Sequence, residues 1–338
     1  MPSPHTISAT EENCERLKVM IRQESSTHYM IPDYLTPEWQ ARLAAAEVSD
    51  PLPNDNDEHI PTSSSEPINE SWRKKICEWC YNVVDHYEMA RESVSVAMNI
   101  LDRYVSSRFI TPMTYTLAAV TAIHVAIKLV CSPYNLRISH LLDVCGGRFS
   151  ADDIASMELT MLSALSWRVH PPTAIDFCGE FIDCSFTESD PHALNGLQEK
   201  AKYFTELAVC EYSMVTRKPS SIALASIIYA IELTDNQVDP QDKDRFTSRV
   251  AQVGLDITDE EVIQCYETLR AMYRNNFMVD EDGEAYDGEL GGRGQVSPTG
   301  VGEGPDNTSK KRKRVQDVDN EGRLITENGE EIARFGPV

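Results

Sequence analysis

TLAAVTAIHVAIKLV, residues 116–130, is the stretch that decides the fold of this chain. Besides Lys128, its only polar side chains are Thr116, Thr121 and His124. A run this long and this apolar predicts a helix that is buried on most of its sides. A charged side chain on such a helix must reach water, meet an acid or be held for a partner. Lys128 is therefore the first candidate functional residue.

The placement of glycine and proline indicates an all-α chain. Of the 16 glycines, eleven follow position 275, which leaves five in the first 275 residues. Thr111-Pro112, Asp190-Pro191 and Asp239-Pro240 each join a good helix N-cap to a proline suited to the first helical position. No stretch shows the sustained alternation and hairpin turns that are typical of strands.

The helical region divides at HPPT, residues 170–173, because two prolines cannot continue the preceding helix. Residues 71–170 contain five predicted helical segments, and residues 171–276 contain five more. The third helices of the two halves, AIHVAIK (122–128) and SIIYAIE (226–232), can be laid over each other. This faint repeat predicts two tandem five-helix domains.

The flanking segments are polar and rich in turn-forming residues. Residues 1–28 are expected to be flexible, and residues 29–70 to hold a short N-terminal helix followed by a proline-rich linker. Residues 277–338 are rich in glycine and acids, which predicts a disordered tail. Within that tail lies a run of basic residues that resembles a nuclear-import signal, formed by Lys310, Lys311, Arg312, Lys313 and Arg314. We therefore expect the nucleus as the location, with the cytoplasm also compatible, and an import receptor as one partner.

The overall charge and the cysteines exclude several classes of protein. A formal net charge of −23 disfavours direct nucleic-acid binding, since an acidic surface repels phosphates. We expect no membrane partner, because we interpret no apolar run as long enough to span a bilayer. The N-terminus also lacks the hydrophobic core of a signal peptide. The nine cysteines show no disulfide framework, which suits a reducing compartment. We expect a soluble intracellular protein.

CEWC, residues 77–80, is the one motif that suggests redox or metal chemistry. A redox site needs a strand-to-helix context, and a zinc site needs a second pair of cysteines. Neither is present in the pattern, so we expect no metal and no cofactor. A thiol oxidoreductase remains an alternative, which would require Cys77 to be reactive and exposed to solvent.

Glu158 is the candidate partner of Lys128. In the fifth predicted helix, Ile154, Met161 and Leu165 define an apolar stripe, and Glu158 falls on it one turn after Ile154. Two charges of opposite sign therefore lie on helices that otherwise have the character of core.

A simpler interpretation stays open. Thr121, His124 and Lys128 follow each other at helical spacing, so they could form a narrow polar stripe that faces water. Glu158 would then be an edge residue whose stem lies along apolar surface.

A second pair of opposite charges lies in the first two helices. Arg73 stands between the apolar residues Trp72 and Ile76, and Asp102 ends the apolar face of the second helix. Taken together, these motifs resemble the cyclin family. WRKKICEWCYNVV resembles the opening of the cyclin box, and NILDRYVS resembles its second-helix motif.

The resemblance continues through the third and fifth helices. AAVTAIHVAIKLV is similar to the alanine-rich third helix of the box, and MELTMLSALSWRVHPPT to its fifth helix and exit. Five residue types mark a cyclin box, and here they fall on Arg73, Asp102, Leu117, Lys128 and Glu158. The second half has the helix pattern of the cyclin C-terminal fold.

The resemblance implies a regulatory protein that is not itself an enzyme, forms a heterodimer with a cyclin-dependent Ser/Thr kinase and activates it in cell-cycle control. Lys128, oriented by Glu158, would donate to main-chain carbonyls of the kinase. Val125, Leu129 and Trp167 would cover the kinase's regulatory helix. Arg73 and Asp102 would form an internal structural pair, and Leu117 would belong to the core. Kinase substrates and inhibitors are further expected partners.

The substrate-docking patch departs from the family pattern. Trp72, Ile76 and Trp79 keep its apolar part, whereas Lys75 replaces an aliphatic residue and Asn82 stands in place of an acid. Docking of basic-leucine peptides therefore stays open.

The subtype also stays open, because the sequence shows neither a mitotic destruction box near its N-terminus nor a G1-type pocket-protein motif. A transcription-associated cyclin that regulates an RNA polymerase-directed kinase is the nearest alternative. A helical adaptor like a transcription-initiation factor is a further one, although it would need basic faces on the helices.

Overall fold

The computed structural model describes residues 9–49, 68–131, 137–187, 189–234 and 238–277, and three short strands between residues 315 and 334. The chain forms two compact units. The unit that contains Met30–His170, here called the N-terminal unit, also includes Val209–Thr216 and Asp306–Val338. The unit that contains Pro171–Ala208 and Arg217–Pro305, here called the C-terminal unit, also includes Met1–Tyr29.

Helices form both units. In the N-terminal unit they are α2 (Pro37–Ser49), α3 (Glu70–His86), α4 (Glu92–Ser106), α5 (Pro112–Val130), α6 (Ile138–Val144) and α7 (Ala151–Ala164). The remaining helices are α1 (Ala9–Glu24), α8 (Ala174–Ser185), α9 (Pro191–Cys210), α10 (Pro219–Glu232), α11 (Pro240–Gln252) and α12 (Glu260–Phe277). All of these belong to the C-terminal unit except the last two residues of α9, which join the N-terminal unit. Within the described residues, α3–α7 and α8–α12 confirm the predicted tandem sets of five helices.

The helix starts follow the capping rules that the sequence obeys. Thr111 caps α5, with its hydroxyl accepting from the Thr114 N–H at 3.2 Å and Pro112 in the first turn. Ser150 and Asp153 form a reciprocal capping box on α7, with N–O distances of 2.7 and 3.1 Å. These caps satisfy N–H groups that a helix start leaves without partners, and they fix where α5 and α7 begin.

Helix α5 is the centre of the N-terminal unit. It packs against α4 and α7, and its small residues Ala118, Ala119, Ala122 and Ala126 are all buried. Small side chains let neighbouring helices approach closely, so this one helix can serve two packing faces. Leu117 is partly buried against the same core.

The length of α5 corrects one expectation. This helix of 19 residues is long and apolar enough to cross a membrane by length and composition alone, whereas the sequence analysis predicts no run of that length. Most of the helix is buried among the other helices of its unit. Its apolar character therefore serves the core.

The N-terminal segment also differs from the prediction, since residues 9–24 form a helix and not a flexible arm. Cys14, Leu17 and Glu24 are buried in the C-terminal unit, where α1 packs against α8. The spacing of Cys14, Leu17 and Ile21 is helical, but the seven charged residues of the helix made this pattern hard to recognise. Glu24 accepts from the Ser220 N–H and hydroxyl at 2.9 and 2.6 Å, so it also caps the start of α10.

The tail contains a small antiparallel sheet that the sequence did not predict. Its strands β1 (Val315–Val318), β2 (Arg323–Thr326) and β3 (Glu331–Arg334) are hydrogen-bonded in that order. Asn328-Gly329, between β2 and β3 in the sequence, is a strong hairpin signal that the glycine-rich composition hid. The rest of the predicted disordered tail, including Lys310–Arg314, lies outside the described residues.

Candidate functional site

Lys128 and Glu158 form an ion pair between α5 and α7. The Lys128 ammonium donates to Oε1 of Glu158. The lysine side chain is 44% exposed and the glutamate side chain 23% exposed. The pair therefore lies at the surface, where an ammonium with three donors can keep its bond to the carboxylate and still donate to a further oxygen.

His124, one turn before Lys128, stands beside the same carboxylate. Its Nδ1 lies 3.8 Å from Oε2 of Glu158, and the imidazole is mostly buried. Burial lowers the pKa of His124, the charge of Lys128 lowers it further, and Glu158 opposes both. The histidine is therefore neutral at neutral pH, and Lys128 is the cation that pairs with Glu158.

The simpler interpretation of a polar stripe facing water is wrong at its first residue. Thr121 is fully buried, and its hydroxyl donates to the Leu117 carbonyl at 2.8 Å. Of the three residues of the stripe, only Lys128 is exposed. The stripe therefore begins at the buried Thr121 and ends at the exposed Lys128.

Apolar side chains that are exposed accompany both members of the pair. Leu129 follows Lys128 on α5, and Leu159 follows Glu158 on α7 with 60% of its surface exposed. Trp167, beyond the end of α7, is 65% exposed. Val125 is buried in the core and contributes little surface, unlike the contact residue that the resemblance implied. Leu159 was missed by the sequence analysis, although it stands next to the acid.

An unusual backbone turn places Trp167 at the surface. Ser166 and Trp167 have φ values of 52° and 60°, in the left-handed region that a bulky residue rarely adopts. The Trp167 N–H donates to the Leu162 carbonyl at 2.8 Å, which closes the turn. Such conformations cost about 1–3 kcal/mol each and tend to persist at functional positions. An indole held outward in this way suits a contact with a partner.

Arg73 and Asp102 meet inside the N-terminal unit. The guanidinium binds the carboxylate at two points, with an Nε–Oδ1 distance of 3.0 Å and an Nη2–Oδ2 distance of 2.9 Å. Both side chains are buried. This pair joins α3 to α4, so its place is structural and separate from the Lys128–Glu158 surface.

Residues far away in the sequence complete the environment of this buried pair. The Tyr34 hydroxyl donates to Oδ1 of Asp102 at 2.7 Å, and Arg73 donates from Nη1 to the Val209 carbonyl at 2.9 Å. Tyr34 packs edge-on against Tyr212, with 5.5 Å between the ring centres. Sequence analysis missed these contacts because no local pattern connects residues this far apart.

The expected substrate-docking patch requires a correction. Ile76 and Trp79 are buried in the core of the N-terminal unit, so they do not form an exposed groove. Trp72 is half-buried and packs edge-on against Tyr115, with 6.5 Å between ring centres. Because α3 turns two of the three predicted apolar residues inward, Trp72 is what remains of the patch at the surface.

The two cysteines of CEWC are buried as well. Cys77 and Cys80 have almost no exposed surface, and burial raises the pKa of both thiols. In the described part of the chain, no group of three or more His, Cys, Asp or Glu residues is placed to hold a metal ion. An exposed, reactive Cys77, which the oxidoreductase alternative requires, is contradicted by this burial.

Comparison with known families agrees with this architecture. Residues 48–170 match the family described as the cyclin N-terminal domain, and residues 172–280 match the cyclin C-terminal domain. The two matches adjoin at the proline pair that divides the chain. The chain belongs to the cyclin family.

Curated relatives include the G2/mitotic-specific cyclin-1 of Antirrhinum majus, which is 27% identical over 220 residues, 64% of this chain and 43% of the relative. Cyclin-A1-4 of Oryza sativa subsp. japonica is 28% identical over 165 residues, 48% of this chain and 45% of the relative. The chain thus spans less than half the length of these relatives.

The chain is also similar to solved structures, at lower sequence identity. A viral cyclin from herpesvirus saimiri has a TM-score of 0.49 at 15% identity, covering 68% of this chain and 96% of the other. The CAK complex of Chaetomium thermophilum bound to ATP-gamma-S has a TM-score of 0.47 at 15% identity, covering 84% of each chain.

Proposed function

We propose that this cyclin is the non-catalytic subunit of a heterodimer with a cyclin-dependent Ser/Thr protein kinase, which it activates. The observation that carries the proposal is the half-exposed Lys128–Glu158 ion pair. Glu158 holds one side of the ammonium, and the remaining donors of Lys128 are free to bind main-chain carbonyls of the kinase. The glutamate thereby orients a lysine that would otherwise be flexible.

The apolar part of the proposed kinase-binding surface consists of Leu129, Leu159 and Trp167, all exposed. Exposed apolar side chains beside an oriented charge suit an amphipathic partner helix, since burial supplies affinity and the charge fixes register. A kinase becomes active when its regulatory helix and activation loop are correctly placed. A rigid helical surface that binds this arrangement better than others shifts the kinase population toward it.

We further propose a role in cell-cycle control. Support comes from the relatives, several of which carry the names of G2/mitotic-specific, A-type or B-type cyclins.

The basic run from Lys310 to Arg314 supports import into the nucleus, because a cluster of cations in an acidic chain is a suitable ligand for an import receptor. Fusion of residues 305–318 to a fluorescent reporter tests this proposal, which predicts nuclear accumulation that is lost when the five cations become alanine.

The test of kinase binding is recovery of the tagged chain from its own cells, followed by identification of co-purifying proteins. Lys128→Ala and Glu158→Ala are compared with the wild type. Arg16 and Glu180 provide a matched control, because they form another surface ion pair with side-chain exposures of 53% and 21%. Arg16→Ala removes a comparable charge in the C-terminal unit.

The proposal predicts a cyclin-dependent-type kinase with the wild type and with Arg16→Ala, and its loss with both site variants while circular dichroism stays unchanged. Absence of any kinase, or equal recovery with all variants, would contradict it. The identity of the kinase separates the two roles, since an RNA polymerase-directed kinase would favour the transcription-associated alternative.

A further inference from the structure

Two cysteines from distant parts of the chain meet in the N-terminal unit. The Sγ atoms of Cys77, on α3, and Cys210, at the end of α9, are 3.3 Å apart. Both residues carry free thiols and both are buried. Sulfur atoms in direct contact need to approach by little more than 1 Å to reach the bond length of a disulfide, which is about 2.05 Å.

The surroundings hold the two thiols in place. Arg73 lies one helical turn before Cys77 on α3 and donates to the carbonyl of Val209, the neighbour of Cys210, at 2.9 Å. Consecutive turns of α3 therefore meet consecutive residues, Val209 and Cys210. This two-point attachment fixes how residues 209–210 lie along α3, so the contact between the two thiols is a defined feature of the fold.

We propose that Cys77 and Cys210 are a redox-modification site, at which a peroxide converts the thiol pair into a reversible disulfide that fastens residues 209–216 to α3. One thiol loses its proton and attacks an oxygen of hydrogen peroxide, the O–O bond breaks, and the released hydroxide takes up that proton, so that a sulfenic acid and one water form. The second sulfur then attacks the first, the S–O bond breaks, and a second water leaves with the proton. Two sulfurs are oxidised, and one peroxide is reduced to two waters.

The order of the two steps follows from exposure. Cys210 retains 8% exposed surface and Cys77 none, so Cys210 is the thiol that peroxide reaches first. Burial raises the pKa of the Cys77 thiol well above its usual range, and the contact with Cys210 raises it further. Cys77 is therefore not the first thiol to react, and its Sγ, 3.3 Å from that of Cys210, is placed to resolve the oxidised Cys210. Buried cysteines are ordinarily inert, but here a single oxidation at Cys210 places the product against a second sulfur.

The test applies a hydrogen peroxide series to the reduced full chain under native conditions. The chain is then unfolded, its remaining thiols are alkylated, and it is digested without reductant for mass spectrometry. Cys131, which is partly exposed, reports that the peroxide dose was sufficient. We expect a peptide that links Cys77 to Cys210, its disappearance with dithiothreitol, and a higher thermal midpoint of the oxidised chain.

Matched variants decide whether the link is specific. Cys210→Ala should abolish both the linked peptide and the thermal shift, whereas Cys145→Ala, at another buried cysteine of the same unit, should leave both intact. The proposal is overturned if Cys131 is fully modified while Cys77 and Cys210 remain alkylatable. It is equally overturned if Cys77 links to Cys80 instead. The wild-type peptide map gives these results even if an alanine variant does not fold.

Discussion

The Arg73 guanidinium and the Asp102 carboxylate are joined by two parallel hydrogen bonds inside the N-terminal unit, at 3.0 and 2.9 Å. Planar, two-point pairing of this kind combines strength with directional specificity. The Asp102 carboxylate also accepts from the Tyr34 hydroxyl, and the Arg73 guanidinium also donates to the Val209 carbonyl. The pair thus fixes α3, α4 and two distant segments of one unit in a single arrangement.

Removal of either partner should strongly destabilise the N-terminal unit. We expect Arg73→Ala to lower the free energy of unfolding by about 3–5 kcal/mol, because Asp102 is left as a buried charge without its cation. Urea denaturation followed by tryptophan fluorescence measures the change. Arg73→Lys keeps the charge but loses the two-point geometry, so its loss should be smaller. An effect of Arg73→Ala no larger than that of Arg16→Ala, on the surface, would show that the buried pair has little structural weight.

Helix α1 should contribute to the stability of the C-terminal unit. Leu17 is fully buried there, and Leu17→Ala should cost about 2–5 kcal/mol through lost burial and the cavity left behind. Val19, two residues away and 52% exposed, provides the control, since Val19→Ala should have little effect. Thermal unfolding by calorimetry compares the two. Equal effects would mean that α1 is not docked in solution.

Stability should fall as the pH drops below the usual pKa of histidine. The pKa of His124 is lowered by burial and by Lys128, and that of His86 by burial. Their usual value is 6.5, so between it and the folded-state values the unfolded chain binds more protons than the folded chain. Acidification in this window therefore favours unfolding.

Urea midpoints measured from about pH 7.5 to about pH 5.5 test this expectation, in a range where histidine is the side chain that ordinarily titrates. His124→Gln and His86→Gln should each flatten the pH dependence. His28→Gln, at an exposed position, is the control and should retain the wild-type slope. An unchanged slope in both the His124 and the His86 variant would show that other groups govern the acid response.

The capping box should set the stability of α7. Ser150→Ala removes the hydroxyl that accepts from the Asp153 N–H, which should cost about 1 kcal/mol of unfolding free energy. Ser156→Ala changes an exposed serine inside the same helix and should be neutral or slightly stabilising, since alanine is the better helix former. Amide hydrogen exchange in the first turn of α7 separates the two. Faster exchange is expected with Ser150→Ala alone.

Local patterns predicted much of this architecture. The apolar run around Lys128 predicted α5, the spacing of Ser150 and Asp153 predicted the start of α7, and the position of Glu158 on an apolar stripe predicted a charged partner for the lysine. Each of these features depends on residues within a few helical turns. Sequence periodicity records such relations directly.

Features that depend on tertiary contacts could not be predicted. Arg73 meets Val209, 136 residues away, and Cys77 meets Cys210 across 133 residues. The burial of Trp79 depends on which face of α3 the neighbouring helices cover, and spacing alone does not give that direction. Helix α1 was not predicted because it has many charged residues and only a narrow apolar stripe. That stripe is recognised as core only once α1 is seen to pack against α8.

The most direct test of the central claim is the dissociation constant between the purified chain and the kinase it recovers, measured by isothermal titration calorimetry. A hydrogen bond from a charged group contributes about 1.5–3 kcal/mol, so Lys128→Ala should weaken binding by roughly tenfold to a hundredfold. Arg16→Ala, the matched surface ion pair, should bind like the wild type. If Lys128→Ala also binds with wild-type affinity, the Lys128–Glu158 pair is not the kinase contact, and the proposed surface is wrong.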